Sequence, residues 1–305
     1  MSGRDGILVE QLTCSLSDSD LPGLGLPERC GITDIYRLED YTLVVATDRA
    51  ESSHARLGTV PFKGEVVTRM ATWWLDVTSD LTPSAVERLV DPQALLIRRT
   101  QPVSIGFAAH TRLTGRLARA YADGLRQFGP VRLADGLAKG ASLPETVFVP
   151  ILRDRGDFGS VPISRGEALT AAGMNEPLFD RTADLAAKLF ARGQERARQR
   201  KLELVDTLYG FGLLGKNELV ADVLLHSPHL STYCAPTDGG SRDLSESSLV
   251  ASSSGTGGAI RDELRLEVAR TYLDLGRCFV TDFEPHAGPV KNRLALSLSF
   301  VGLLA

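Results

Sequence analysis

Five histidines, His54, His110, His226, His229 and His286, are the residues in this chain with the plainest capacity for chemistry. Histidine exchanges protons near neutral pH, so any of them placed in a cleft could act as a general acid or base. His226 and His229 stand three apart, a spacing that could serve a metal, but Pro228 between them argues against a helix and so against a ligand pair. The plainer alternative for any single histidine is a surface residue or a hydrogen-bonded core residue. The four cysteines, Cys14, Cys30, Cys234 and Cys278, lie far apart without CxxC spacing. They read as free thiols, each a small buried apolar residue, and not as a zinc site or a disulfide framework. No Walker loop and no strand–GxGxxG–helix fingerprint is present; Gly23-Leu24-Gly25 lies between prolines and reads as a turn.

The elements that must position these groups read as an α+β protein. Ile35–Leu38 and Tyr41–Ala46 form a hairpin across Glu39-Asp40, with a buried second strand. Val66, Val67, Met70, Trp73 and Trp74 recur at helical spacing and predict an amphipathic helix over 63–75. Residues 94–99 read as a strand, and 181–201 as a helix with Leu185, Ala186, Leu189, Phe190 and Ala197 on one face. The Arg- and Lys-rich opposite face reads as solvated surface. A strand–turn–strand follows through 202–225, turning at 214–217. The segment 240–258, rich in Ser and Gly, reads as a flexible loop or lid. Leu264, Val268, Tyr272 and Leu275 form one stripe of a last helix over 260–275.

Composition excludes several classes. With 34 Lys and Arg against 38 Asp and Glu the formal net charge is −4, which leaves no basic footprint for nucleic acid. No apolar run reaches the roughly 18 residues of a membrane helix. The first residues lack a basic region followed by an apolar core, so no secretory signal is expected and the cytoplasm is the expected location. A homo-oligomer is left open.

Five blocks in order, GITDIYRLEDYTLVVATDR (31–49), PFKGEVVTRMATWWL (61–75), ALLIRRTQPVSIGFAAHTRLTGR (94–116), LPETVFVP (143–150) and LVDTLYGFG with ELVADVLLHSPHLSTYC (204–234), give the chain a resemblance to SAICAR synthetase. That purine-pathway ligase joins aspartate to a carboxylated aminoimidazole ribotide using ATP and magnesium. The resemblance implies a small antiparallel sheet lobe that cradles nucleotide, residues 1–100, and a larger α/β lobe, residues 101–305. The active site would lie in the cleft between them.

The departures from that pattern bear on the chemistry. The pattern's GKVRDIY is here Cys30-Gly31-Ile32-Thr33-Asp34-Ile35-Tyr36, so both basic residues are gone, including the lysine near the ATP phosphates. Its DTKFEFG is Asp206-Thr207-Leu208-Tyr209-Gly210-Phe211-Gly212, with glycine in place of the metal-binding glutamate. The following Asp-Glu pair is Val223-Leu224, with Asp222 displaced by one residue. Phosphoryl transfer needs magnesium and basic groups to neutralise oxygen charge, so the resemblance implies a site that has lost the means to handle ATP and magnesium. No other cofactor and no metal is expected. On the substrate side, VVRGYLAGS becomes Ala108-Ala109-His110-Thr111-Arg112-Leu113-Thr114-Gly115-Arg116, and PDSSR becomes Pro228-His229-Leu230-Ser231-Thr232.

Four of the five histidines, His54, His110, His226 and His229, fall in segments that line the family's cleft, and they are the expected acid/base residues, with His110 and His229 leading. Arg99 and Arg116 are expected to grip a substrate phosphate, with Lys63, Glu65, Arg153, Ser231 and Asp206 as further substrate contacts. The implied ligand is a phosphorylated purine or aminoimidazole ribonucleotide. The pattern is also similar to SAICAR-synthetase-like proteins of the pathways to coformycin and pentostatin, where a diazepine ring is made without need of an acyl phosphate. Two alternatives stand beside this enzyme with altered chemistry: a non-catalytic partner protein that keeps the fold, and an ATP-dependent ligase with rearranged carboxylates.

Overall fold

The computed structural model describes residues 3–52, 55–154, 157–171, 173–215, 217–238, 240–245 and 260–304. The α+β class expected from the sequence is the observed one: antiparallel sheets with helices packed against them.

Five strands form the first sheet, in the order Glu28–Cys30, Thr33–Arg37, Tyr41–Ala46, Ala94–Arg98 and Val86–Asp91. The expected hairpin is there, with Tyr36 opposite Leu43. The uninterrupted run Tyr41–Ala46 has a physical reason, because both faces of this central strand are covered. Val44 and Ala46 pack with Val66, Met70 and Trp74 of the helix Lys63–Val77. Leu43 and Val45 pack with Leu294 and Leu298 of the helix Val290–Phe300. A strand buried on both sides cannot alternate apolar with polar residues. Full burial of side chains such as Val66 and Met70 is worth about 1.5–3 kcal/mol each.

The second sheet has six strands, in the order Asp157–Pro162, Ser142–Asp154, Ile105–Arg112, Glu203–Tyr209, Ser231–Thr237 and Gly240–Asp243. The helix Glu176–Gln199 covers one face through Leu185, Leu189 and Phe190, with Phe190 edge-on to Phe148 at 5.9 Å. This helix begins five residues before the expected start. Asn175 accepts a hydrogen bond from the Leu178 amide at 2.9 Å, and Pro177 fits the first turn. A three-stranded sheet, Glu218–Ala221, Phe211–Leu214 and Thr100–Pro102, joins the two larger ones.

The expected strand–turn–strand over 202–225 is broken in two at Gly210: Glu203–Tyr209 belongs to the six-stranded sheet and Phe211–Leu214 to the three-stranded one. The expected turn at 214–217 carries Gly215 at φ +57°, a left-handed position suited to glycine. The last expected helix runs Asp262–Phe279, with Leu264, Val268, Tyr272 and Leu275 all buried. The flexible loop expected over 240–258 needs correction at its start, because Gly240–Asp243 pairs with Cys234–Thr237 as an edge strand. Residues 246–259 lie outside the described residues. None of the four cysteines is in a disulfide; Cys234 is buried as expected, whereas Cys14, Cys30 and Cys278 are only partly so, a correction to the expectation of four buried residues. No helix among the described residues is long and apolar enough to cross a membrane.

Candidate functional site

A cavity of about 610 Å³ opens between the five-stranded and three-stranded sheets, with Gly31, Arg99, Arg153, Asp222 and His229 among its lining residues. On the strand Glu203–Tyr209 successive residues point to opposite faces, so Asp206 and Leu208 share one face, and Thr207 and Tyr209 the other. At Gly210, where this strand ends, an added Cβ would meet the Arg153 guanidinium at 2.8 Å and Asp222 Oδ2 at 3.1 Å, both residues of the cavity wall. Asp206, His110, Thr114 and Arg116 form a second cluster, and none of the four is among the residues that line the cavity.

His110 lies opposite Asp206 in the antiparallel register, on the central strand Ile105–Arg112. The side chain of Thr114 links the two: its hydroxyl donates to Asp206 Oδ2 at 2.5 Å and lies 3.5 Å from His110 Nδ1. His110 is buried, and its Nε2 has no hydrogen-bond partner among the described residues. Burial pushes its pKa below the ordinary histidine range. The Asp206 carboxylate works against that shift and the Arg116 guanidinium works with it. Arg116 sits in the first turn of the helix Gly115–Ala122 and also acts on His229, so one cation bears on both leading histidines.

His229 keeps an exposed face in the cleft wall. Enclosure by surrounding protein, and then the charges of Lys63 and Arg116, hold its imidazole below the usual range. Its Nε2 lies 3.6 Å from where a Cβ on Gly31 would stand. Gly31 has φ +51°, and its carbonyl accepts two hydrogen bonds from the buried Arg49 guanidinium, at 2.7 and 3.0 Å. The loop in which the pattern has its phosphate lysine is thus pinned from below, with a histidine against it. The pattern's metal-binding glutamate would rise from Gly210, where the Arg153–Asp222 ion pair (2.6 Å) now stands. Among the described residues no three His, Cys, Asp or Glu side chains gather as a metal site.

The structure does not bring every expected residue to this place. His226 corrects the expectation that it lines the cleft. It has φ +52° in a turn where the Leu225 amide bonds back to Asp222 and the Ser227 amide to Leu224, and its ring goes into the core. There it stacks on Trp74 at 4.7 Å and meets the Tyr209 hydroxyl at 3.2 Å. Burial pushes its pKa down to about 3. The same turn sends His229 the opposite way.

Glu65, fully buried, accepts hydrogen bonds from the His286 amide and ring (3.0 and 2.8 Å) and from Arg69 (3.1 Å), which ties the C-terminal segment to the helix Lys63–Val77. Ser231 is buried on the face away from Asp206 and meets Thr207 at 2.7 Å. Lys63 donates to the Arg49 carbonyl at 2.7 Å and reaches His229 through its charge. Arg99 lines the cavity and donates to the Leu38 carbonyl. His54 lies outside the described residues.

One participant, Thr114, is not evident from the sequence: it replaces an alanine of the pattern four residues after His110, and this paired change was the available signal. Asp222, displaced by one residue from the pattern and with Asp206 one of the rearranged carboxylates of the ligase alternative, is the partner of Arg153.

Comparison with known proteins extends the resemblance. The family model of SAICAR synthetase matches residues 32–233. A protein of Mesorhizobium japonicum, named as a second phosphoribosylaminoimidazole-succinocarboxamide synthase, is 34% identical over 225 residues, 72% of this chain and 72% of that one. The chloroplastic phosphoribosylaminoimidazole-succinocarboxamide synthase of Arabidopsis thaliana is 30% identical over 236 residues, 75% of this chain and 57% of the plant protein. The structure of SAICAR synthase from Saccharomyces cerevisiae complexed with SAICAR matches with a TM-score of 0.75 at 20% identity, over 89% of this chain and 100% of that one. At that identity the likeness bears on the fold.

Proposed function

The chain belongs to the SAICAR synthetase family, and we propose that within it this protein acts on a phosphorylated purine or aminoimidazole ribonucleotide by acid/base chemistry, without ATP or magnesium. His110 and His229 would exchange the protons, and Arg116 with Arg99 would hold the phosphate. The observation that carries this reading is the Arg153–Asp222 pair standing where the family's metal-binding glutamate would project. Magnesium needs carboxylate oxygens in near-octahedral geometry. Here Asp222 is neutralised by Arg153 and Asp206 is engaged by Thr114, so these side chains do not fit a magnesium-bound triphosphate. A neutral imidazole with a free ring nitrogen does fit proton transfer.

In finer terms, we place the protein among the diverged relatives of the pathways to coformycin and pentostatin. The change of an adenine nucleotide into a diazepine needs proton movement, ring opening and carbon–carbon bond formation, none of which calls for an acyl phosphate. Reconstitution with the candidate adenine nucleotide, with and without ATP, magnesium and aspartate, tests this. Product without ATP supports it; product only with ATP and aspartate overturns it. The second outcome would favour an ATP-dependent ligase of the ordinary family type, a reading that the 34% identity to the Mesorhizobium japonicum protein keeps in view. No turnover with any of these would favour a non-catalytic partner.

A further inference from the structure

We infer that Thr114 and Asp206 fix the tautomer of His110, with the proton on Nδ1, so that the enclosed, unpartnered Nε2 is an unprotonated acceptor that selects a phosphorylated ligand bearing an N–H or O–H donor. An ionised carboxylate only accepts, so at 2.5 Å from Asp206 Oδ2 the single hydroxyl proton of Thr114 points at Asp206. What Thr114 then turns toward His110 Nδ1 is a lone pair. At 3.5 Å this approach is long and its energy small, but its sign is fixed: an acceptor faces Nδ1, and Nδ1 carries the hydrogen.

The backbone holds all three groups in place. Asp206 and His110 are register partners on adjacent strands, and Thr114 precedes the helix Gly115–Ala122, whose first turn carries Arg116. Nε2 is left buried without a partner, and a buried polar atom in that state costs about 1–3 kcal/mol unless something meets it. The other charge that acts on it besides Asp206 is the Arg116 guanidinium, a group suited to a phosphate. A ligand spanning the two must therefore pair a phosphate with a hydrogen-bond donor. When such a group loses its proton, the X–H bond breaks with its electron pair left on X and an Nε2–H bond forms. The imidazolium charge is then offset by Asp206 across Thr114. Thr114 and Asp206 are positioning residues in this account. The tautomer stands on the geometry alone, whereas the ligand class rests on the function proposed above.

The test is nitrogen-15 correlation spectroscopy of the full-length protein labelled at histidine, with the His110 signals assigned by their loss in His110→Gln. The expected result is an Nδ1–H tautomer at His110 that is lost or becomes mixed in Thr114→Val and Asp206→Asn, and is kept in Thr114→Ser. An Nε2–H tautomer in the wild type, or no change in Thr114→Val, overturns the tautomer. Addition of AMP, whose amino group supplies a donor and whose phosphate suits Arg116, should shift the Nε2 resonance; inorganic sulfate, which carries no donor at neutral pH, should not. AMP that binds and leaves Nε2 unmoved overturns the donor class. Failure of AMP to bind, with the tautomer as expected, counts instead against the proposed function.

Discussion

His110 and His226 sit on opposite faces of one sheet. Both are buried, and in both burial lowers the pKa. Their surroundings differ in kind. His226 is walled by Trp74 and Tyr209, and a Cβ added to Gly193 would meet its Cε1 at 2.4 Å, so no ligand has room to enter. His110 is backed by a hydroxyl, a carboxylate and a guanidinium. Each ring has one buried nitrogen without a hydrogen-bond partner among the described residues, Nε2 in His110 and Nδ1 in His226, so that feature does not divide them. Burial and a depressed pKa are therefore common to a packing residue and to the residue proposed to react. The chemistry of the neighbours separates them.

The largest test of that contrast is a paired substitution. His110→Gln should slow the reconstituted reaction by about 100- to 10,000-fold, the usual contribution of a positioned acid or base, with melting temperature nearly unchanged. H226Q should lower the melting temperature and leave the rate per folded molecule close to wild type. If both variants lose rate alike, the distinction between the two faces fails. His229→Gln is expected to behave like His110→Gln.

Next in size is the phosphate contact. Arg116→Ala should weaken binding of AMP by about 1.5–3 kcal/mol, the scale of a charge-assisted hydrogen bond, measured by calorimetry. Unchanged affinity would return Arg116 to the surface.

On the core side, Gly193→Ala puts a methyl group into the His226 ring and within 2.6 Å of Leu204. Alanine ordinarily stabilises a helix over glycine, yet here overpacking should cost about 1–3 kcal/mol of stability by denaturant unfolding. A more stable variant would mean that the His226 pocket is looser than drawn.

The last test is in pH, with the smallest effect per unit step. His226 keeps its neutral form in the folded protein down to about pH 3, whereas the unfolded chain takes up the proton near its ordinary value of about 6.5. Stability from this group is present above that value and is lost as pH falls. The stability cost of H226Q should therefore shrink by about 1.4 kcal/mol for each pH unit below 6.5. Asp48, which burial pushes up to about 6, acts in the opposite sense over part of that range, but it is common to both proteins and cancels in the difference. A cost independent of pH would show that His226 titrates normally.

Much of the scaffold was legible because its apolar spacing is regular. Val66, Met70 and Trp74, or Leu264, Val268 and Tyr272, announce their helices. The start of the helix at Glu176 was not, because its signal is one capping residue, Asn175, in a polar stretch. The break at Gly210 was legible as a chemical loss, but the strand pattern runs straight through it. Within the site, the sequence put His226 and His229 three residues apart and could not tell that a left-handed residue between two backbone turns would send them to opposite sides. Nor does a sequence state that Arg153 and Asp222, 69 positions apart, fill the space of a missing side chain.

The central claim is that this cleft does not take magnesium-bound ATP. Calorimetric titration of the full-length protein with ATP in excess magnesium, beside AMP without it, tests that claim most directly. The expected result is heat of binding for AMP and none for magnesium-bound ATP. Magnesium-dependent ATP binding with a Kd of about 1 μM, a binding free energy near −8 kcal/mol, would contradict it.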